Sequence, residues 1–197
     1  MTHRRVEFFF DVGSPASYLA WTQLPRICAA AGAELAWRPM LLGGVFQATG
    51  NASPAAVPAK GRYSSIDLAR HAQRYGVPLV MNPHFPIITL FLMRAVTGVQ
   101  VAMPERLQDL LGGVFRAIWV EALDLNDPAL AVDAIARAGL DAGGVTDLAH
   151  AADTKARLRA TTEEAVARGV FGAPTMFVGS EMYFGQDRLD FVREALA

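Results

Sequence analysis

The chain has 197 residues, 52% of them hydrophobic, which is enough to bury one sizeable core. With 18 basic and 19 acidic side chains the formal net charge is −1, so the composition gives no sign of a nucleic-acid partner. The longest apolar stretch, Ile87–Met93, is too short to span a bilayer, and no membrane partner is expected.

The single cysteine and the N-terminal segment favour a protein of the reducing cytoplasm. Cys28 is the only cysteine, so an intrachain disulfide, a CxxC redox pair and a multi-cysteine metal site are excluded. Its apolar helical surroundings are typical of a buried thiol. Arg4 and Arg5 precede a short apolar run that Asp11 interrupts. No cleavage site follows, which predicts a first strand instead of a signal peptide.

The opening segment predicts two parallel strands joined by a helix. Val6–Phe10 is an apolar run, interrupted only by Glu7, and is typical of a buried strand. Ser14 and Pro15 then begin a helix of about 16 residues, which Gly32 ends. Ala33–Arg38 has the pattern of a second strand, and a right-handed crossover between the two strands follows.

A long loop and a helical block are expected next. The segment from Pro39 to Lys60 is rich in Gly, Pro, Ala and Asn, which indicates a loop. From Ser64 to Arg168 the apolar residues recur with the helical period. The helices predicted there are Ser64–Tyr75, Ile87–Val96, Pro104–Ala122, a segment from Asp127 to Gly139, Asp141–Ala151 and Asp153–Arg168.

The period changes again after the helical block. Pro174–Val178 and Glu181–Phe184 are predicted as short strands around a Gly-Ser turn. Asp187–Leu196 is predicted as a final amphipathic helix. The chain is therefore expected to have an α/β fold in which a βαβ half and a ββα half are separated by a large helical segment.

Ser14 has two interpretations that do not exclude each other. A serine before proline at a strand–helix junction is a good helix N-cap. The N-terminus of a helix also carries unpaired N–H groups and a partial positive charge, which would lower the pKa of a bound thiol. In that case Ser14 donates a hydrogen bond to the bound sulfur and is not itself the attacking group.

Two positions near the C-terminus also have a structural and a functional interpretation. Pro174 either lies in a loop entering an edge strand or is a cis proline. A cis proline would leave the N–H and C=O of Ala173 free to pair with an extended peptide ligand. Asp187 either caps the last helix or accepts a hydrogen bond from a ligand ammonium group.

The remaining candidate residues lie in the central part of the chain. Lys60 and Arg62 form a small basic cluster, which is either solvated or able to bind a carboxylate. His84 lies in a distinctive loop, but no second histidine or carboxylate stands at ligand spacing, so no metal site is expected. Trp119 fits the core better than it fits a site.

Several blocks of the sequence resemble one known family. They are Val6–Ala20, Ala48–Asn51, Val114–Trp119, Val170–Phe177 and Glu181–Arg188. In order and spacing they resemble the 2-hydroxychromene-2-carboxylate isomerases and the kappa-class glutathione transferases, from the DsbA-like branch of the thioredoxin superfamily. The resemblance covers essentially the whole chain. It implies a thioredoxin-like core of residues 1–60 and 170–197, with an all-helical domain, residues 61–169, inserted between the halves.

The same resemblance implies a glutathione site and a second-substrate site. Ser14 matches the serine that holds the glutathione sulfur, and Ala173, before Pro174, matches the residue whose backbone pairs with the cysteinyl unit. Gln186 and Asp187 match the positions that take the γ-glutamyl end, and Asn51 matches a loop asparagine near the glutathione. The residues implied in the second-substrate site are Trp119, Asn82, His84 and Phe85, with Lys60 or Arg62 holding the substrate carboxylate.

The implied reaction converts 2-hydroxychromene-2-carboxylate into trans-o-hydroxybenzylidenepyruvate, a step of aromatic hydrocarbon catabolism. Glutathione adds to a conjugated double bond, the new single bond of the thioether rotates, and glutathione leaves unchanged, as a cofactor. A kappa-class transferase that releases a conjugate is the alternative. A thiol–disulfide oxidoreductase is disfavoured because Ser14 and Ser17 replace both sulfurs. A non-catalytic peptide-binding module is a further alternative.

Two features bear on substrate choice and assembly. Gln47 and Ile88 stand where many relatives carry Lys and Asn, and both positions fall in the substrate half of the site. The resemblance also implies a homodimer. The expected partners are therefore glutathione, a small-molecule substrate and a second copy of the chain.

Overall fold

The strands of the protein come from the two ends of the chain and meet in one mixed sheet. The structure is a computed structural model that describes residues 4–197. Within that range the strands are β1 (Arg5–Phe10), β2 (Glu34–Pro39), β3 (Thr175–Val178) and β4 (Glu181–Phe184), in the sheet order β2-β1-β3-β4. β1 is parallel to β2 and antiparallel to β3, and β3 is antiparallel to β4. The βαβ and ββα halves predicted from the sequence are therefore confirmed.

Helices cover the sheet and fill the long segment between its two halves. α1 (Pro15–Ala30) connects β1 to β2. The helices between β2 and β3 are α2 (Leu42–Thr49), α3 (Pro58–Tyr75), α4 (Leu90–Ala102), α5 (Leu107–Trp119), α6 (Pro128–Arg137), α7 (Ala142–His150) and α8 (Ala152–Ala167), and α9 (Leu189–Ala195) follows β4. Single turns of 3-10 helix lie at Pro54–Ala56, Pro104–Arg106 and Gln186–Arg188. None of the helices in the described range is both long and apolar enough to cross a membrane.

β1 is covered on both faces, which explains why Val6 and Phe8–Phe10 are all buried hydrophobic residues. Phe8 and Phe10 belong to the main core, where both rings pack edge-to-face against Trp37. Phe9 points to the opposite side of the sheet and belongs to a second cluster with Met40, Val45, Ala165, Val170 and Phe177. A strand covered on both sides has few positions for polar residues, and the carboxylate of Glu7 forms an ion pair with Arg168.

The prediction of a loop over residues 39–60 is wrong for much of that segment. It contains α2 and a 3-10 turn, and α3 already begins at Pro58. Val45 of α2 is fully buried in the second cluster. Burial of this face stabilises the helix although two of its residues are glycines, which have low helix propensity. Gly50, at φ 70°, ends the helix in the left-handed conformation.

Other helix boundaries differ from the prediction by a few residues. The helix predicted to begin at Ile87 begins at Leu90, so residues 87–89 form part of the preceding loop. The helix predicted over Pro104–Ala122 is a 3-10 turn followed by α5. The domain boundaries at residues 60 and 170 stay a prediction.

Candidate active site

Ser14 lies where β1 turns into α1, and the local sequence explains its position. Its Oγ accepts a hydrogen bond from the Ser17 N–H at 3.1 Å, and Pro15 occupies the first helical position, so the predicted N-cap is confirmed. The same Oγ donates a hydrogen bond to the Ala173 carbonyl oxygen at 3.0 Å. Only 5% of Ser14 is exposed. This hydroxyl therefore joins two segments that are 159 residues apart in the chain.

The segment before β3 forms the opposite side of the site. The Ala173–Pro174 peptide bond is cis, as one interpretation of the sequence expected. The Pro174 carbonyl accepts a hydrogen bond from the Gly185 N–H at 3.0 Å, which ties this segment to the residue after β4. The expectation that both backbone groups of Ala173 are free is wrong for the carbonyl, because Ser14 donates to it. The Ala173 N–H has no acceptor within residues 4–197.

Asn51 is held against the same segment. Its Nδ2 donates a hydrogen bond to the Phe171 carbonyl oxygen at 2.7 Å, two residues before Ala173. The Phe171 ring packs on the Phe184 ring, with the two centroids 4.5 Å apart. The structure therefore brings Asn51, which is exposed, to the segment that contacts Ser14.

Gln186 and Asp187 lie in the 3-10 turn that follows β4. Gln186 is buried, and its carbonyl oxygen accepts a hydrogen bond from the Tyr75 hydroxyl at 2.7 Å. Asp187 is exposed, and its carboxylate lies 2.5 Å from Nη1 of Arg188. Asp187 does not cap the last helix, whose N-cap is Arg188, so that interpretation is wrong. Because an exposed ion pair contributes little stability, the carboxylate can exchange this partner for a ligand ammonium group.

Trp119 is a core residue that also holds the turn before Ser14. Its indole is fully buried, and Nε1–H donates a hydrogen bond to the Val12 carbonyl oxygen at 2.8 Å. Phe85 packs against it, with ring centroids 6.2 Å apart. The indole thus presents no exposed surface to a substrate, and it reaches the site through Val12, two residues before Ser14.

Asn82 fixes the loop that carries His84 and Phe85. Its Nδ2 donates hydrogen bonds to the carbonyl oxygens of Ile118 at 3.0 Å and Leu123 at 2.9 Å. Its Oδ1 accepts a hydrogen bond from the His84 N–H at 2.8 Å. Both amide hydrogens of this buried side chain are therefore used within the protein. The His84 imidazole is exposed, with Nδ1 3.4 Å from Asp124 Oδ2.

Lys60 and Arg62 lie in the first turns of α3, and both side chains are exposed. Among residues 4–197, no hydrogen bond or ion pair links either of them to Ser14 or Ala173. The structure therefore places the predicted basic cluster at the surface, without a direct contact to the Ser14 site.

Asp11 is a site residue that the sequence pattern did not reveal. Its wholly buried carboxylate accepts hydrogen bonds from the Gly13 N–H at 2.9 Å, the Leu42 N–H at 2.8 Å and the Thr89 hydroxyl at 3.0 Å. Burial raises the pKa of this carboxyl, and the three hydrogen bonds oppose that shift. The signal in the sequence was an acidic residue at the end of an apolar strand, where a carboxylate needs buried donors.

The arrangement suits the binding of an anionic sulfur or oxygen more than nucleophilic attack by Ser14. The first turn of α1 has N–H groups without helical partners and lies at the positive end of the helix dipole. No carboxylate or imidazole of the described residues hydrogen-bonds to Ser14, so a base that would activate its hydroxyl is missing. No group of three or more metal-ligating side chains occurs in the same range.

Comparison with known proteins shows which family the chain resembles. The family model described as "DSBA-like thioredoxin domain" matches residues 5–197. Glutathione S-transferase kappa 1 of Rattus norvegicus is 31% identical, over 96% of this chain and 89% of its own length. A 2-hydroxychromene-2-carboxylate isomerase of Pseudomonas putida is 32% identical, over 97% of this chain and 93% of its own.

Solved structures give the same result. A structure of 2-hydroxychromene-2-carboxylate isomerase matches with a TM-score of 0.84 and 29% identity, covering 98% of this chain and 94% of that chain. A probable DsbA oxidoreductase from Streptomyces coelicolor matches with a TM-score of 0.77 over 98% of this chain and 88% of its own. At 21% identity it supports the fold alone. The family resemblance and the thioredoxin-like fold with a helical insertion, both predicted from the sequence, are therefore confirmed.

Proposed function

Because the chain belongs to the DsbA-like thioredoxin family, we propose that it is a glutathione-dependent isomerase that converts 2-hydroxychromene-2-carboxylate into trans-o-hydroxybenzylidenepyruvate. The observation that carries the proposal is the position of Ser14, whose hydroxyl lies at the N-terminus of α1 and 3.0 Å from the Ala173 carbonyl oxygen. Disulfide chemistry is disfavoured because serines occupy positions 14 and 17 and the one cysteine, Cys28, is buried. The names of the relatives support an isomerase or a transferase.

The residues around Ser14 fit the chemical groups of glutathione. Ser14 and the first turn of α1 suit a thiolate. The backbone of Ala173 suits strand-like pairing with the cysteinyl unit, as a peptide ligand adds to a sheet edge. Gln186 and Asp187 suit the γ-glutamyl end. Asn51, which donates a hydrogen bond to the Phe171 carbonyl oxygen, is proposed to lie near the bound glutathione. When bound, glutathione would supply a thiolate that adds reversibly to a conjugated double bond of the substrate.

The hydrogen bond between Ser14 and Ala173 must be exchanged when the site fills. Ser14 has one O–H, which is donated to the Ala173 carbonyl oxygen. A ligand amide N–H that pairs with this carbonyl replaces Ser14 as its donor, and the Ser14 O–H turns toward the sulfur. Its Oγ keeps the Ser17 N–H as a donor, so the helix cap is retained. The hydroxyl and the helix N-terminus together lower the pKa of the bound thiol.

The second substrate is proposed to lie between the loop of residues 82–85 and the start of α3. Phe85 supplies an aromatic surface, and His84 supplies a polar group beside it. Lys60 or Arg62, both exposed and positively charged, would hold the substrate carboxylate.

Asn82 and Trp119 are proposed to act from behind this surface. Their N–H groups are donated inside the protein, so they shape the loop and the Ser14 turn without touching the substrate. A homodimer and a cytoplasmic location, both expected from the sequence, complete the proposal.

A kappa-class glutathione transferase is the second candidate function, favoured by the 31% identity to the rat kappa enzyme. Both reactions need the same thiolate beside Ser14, so the geometry of the site does not separate them. The amount of glutathione does, because an isomerase leaves it unchanged and a transferase consumes one molecule for each product. Free thiol measured during turnover of 2-hydroxychromene-2-carboxylate decides between the two.

A glutathione titration with Ser14→Ala tests the proposal itself. The ultraviolet absorbance of the thiolate is followed against pH for glutathione with wild type and with the variant. We expect wild type to lower the pKa of the bound thiol. Ser14→Ala should raise it again by about one to two units, because a hydrogen bond to a charged group contributes about 1.5–3 kcal/mol.

Asp127→Ala is the matched control, since it removes the side-chain N-cap of another helix, α6, and should leave the thiol pKa as in wild type. Wild-type protein that binds no glutathione would contradict the proposed function.

A further inference from the structure

Asp11 joins three segments that meet next to the Ser14 turn. Its carboxylate accepts the N–H of Gly13 within the turn, the N–H of Leu42 at the start of α2, and the hydroxyl of Thr89, directly before α4. All three partners are donors, and the carboxylate is wholly buried. None of the chemistry proposed above uses this group. Its contacts make it a support of the turn that carries Ser14.

Thr89 contacts this turn in two ways. Its Oγ1 donates a hydrogen bond to Asp11 Oδ2 at 3.0 Å. Its Cγ2 lies so close to Gly13 that a Cβ added to the glycine would be only 2.8 Å from it. Thr89 is 7% exposed, so both contacts are shielded from water. The hydroxyl and the methyl group hold the turn from the side of the helical segment.

Two side chains of the helical segment also contact the backbone of the turn, at Val12. The Val12 N–H donates to Met93 Sδ of α4 at 3.4 Å, and the Val12 carbonyl oxygen accepts from Trp119 Nε1 of α5 at 2.8 Å. The turn that carries Ser14 is therefore fixed by α4 and α5 as well as by the sheet half of the protein.

We propose that Thr89 is a positioning residue, which through Asp11 and Gly13 fixes the turn so that Ser14 and the α1 N-terminus face the bound sulfur. The effect on the sulfur rests on the proposed function, whereas the effect on the turn does not. Thr89 is proposed to act on the sulfur indirectly, through its contacts with Asp11 and Gly13.

Three variants separate the hydroxyl of Thr89 from its bulk. Thr89→Val keeps the branched shape and removes the hydroxyl, whereas Thr89→Ser keeps the hydroxyl and removes the methyl group. Thr97→Val is the matched control: Thr97 lies in α4, is 1% exposed, and donates its hydroxyl only to the Met93 carbonyl oxygen of its own helix. Urea unfolding gives the stability of each variant, so that a general loss of stability is measured separately.

Two readouts are used on the full chain. The first is the pKa of glutathione bound to the protein, followed by thiolate absorbance against pH. The second needs no ligand and is the hydrogen exchange of the Ser17 and Tyr18 amides, which donate to Ser14 Oγ and to the Ser14 carbonyl oxygen. Thr89→Val should lower the thiolate fraction of bound glutathione at neutral pH about three- to tenfold. It should also raise the hydrogen-exchange rates of the Ser17 and Tyr18 amides about tenfold. Thr97→Val should stay within about twofold of wild type in both readouts. Thr89→Ser, which keeps the hydroxyl and loses the methyl contact with Gly13, should change both readouts less than Thr89→Val does.

Each outcome decides one of the two proposals. The positioning role is overturned if amide exchange and the pKa of the bound thiol are the same in Thr89→Val as in wild type. It is also overturned if Thr97→Val changes these two readouts as much as Thr89→Val does. If wild type binds no glutathione, the proposed function fails while the exchange data still test Thr89. Faster exchange in Thr89→Val alone then supports the positioning role of Thr89 without the proposed chemistry.

Discussion

Replacing Gly13 with alanine tests how tightly the Ser14 turn packs against Thr89. The backbone of Gly13 is not in the left-handed region, so space and not conformation limits this position. An added Cβ would lie 2.8 Å from Thr89 Cγ2 and 3.4 Å from Asp11 Oδ1, where ordinary carbon contacts are about 3.5–4.0 Å. Relief needs a shift of about 1 Å in a buried contact. Overpacking of this kind costs about 1–3 kcal/mol, so Gly13→Ala should lower the free energy of unfolding by that amount.

The double variant Gly13→Ala/Thr89→Ser makes this prediction specific. Thr89→Ser alone removes one buried methyl group and should cost about 1 kcal/mol. Thr89→Ser removes the atom that the new Cβ would meet, so the double variant should be no less stable than Gly13→Ala. Its loss of stability should therefore be smaller than the sum of the two single losses by about 1–2 kcal/mol.

Urea unfolding of the four proteins measures this cycle, with m-values compared to confirm two-state behaviour. Gly43→Ala is the control, because a Cβ there meets no atom within 4 Å and alanine favours the helix. Additive losses in the cycle, or a Gly13→Ala protein as stable as wild type, would refute the tight contact.

Three further predictions concern single groups. Burial raises the pKa of Asp11 above 3.8, so its contribution to stability is complete below that pH and is lost as pH rises through the raised pKa. The free energy of unfolding of wild type minus that of Asp11→Asn, both from urea unfolding, should therefore decrease as the pH is raised from acidic to neutral. An increase in this difference would contradict the prediction. Burial raises the pKa of Cys28 to about 11 from 9.0, so iodoacetamide should label the native thiol about a hundredfold more slowly than the unfolded one. Asn51→Ala removes the hydrogen bond to Phe171, and calorimetry should show weaker glutathione binding with at most about 1 kcal/mol lost in stability.

The N-cap and the strands could be predicted because each depends on residues that are close in the sequence. Ser14 and Pro15 specify the start of α1 by their own chemistry, and the structure confirms it. The two short strands before α9 follow from a turn between apolar segments. The family resemblance placed Ser14 and Ala173 in one site, but it did not predict a contact between them. The structure shows the direct hydrogen bond.

The network around Asp11 could not be predicted because its partners are distant in the chain. Leu42 is 31 residues away and Thr89 is 78 residues away, and neither stands in a pattern that marks it as a donor. Tertiary packing also explains why α2 forms, because the burial of Val45 outweighs the low helix propensity of its two glycines. Burial of Asn82 likewise depends on how the helices pack, which a single sequence does not give, whereas the burial of Trp119 is predicted from its place on the apolar stripe of α5.

The position of β1 has a consequence for synthesis in the cell. One edge of β1 pairs with β3, so that Val6 lies opposite Val178. A ribosome that adds about 5–20 residues per second needs roughly ten to thirty seconds to make the intervening chain. During that time the edge of a strand with three consecutive phenylalanines has no partner, and unpaired apolar edges attract other chains. The nascent protein should therefore depend on chaperones, and Ser14 acquires its partner Ala173 only after the chain has been synthesised to that residue, 159 positions beyond Ser14.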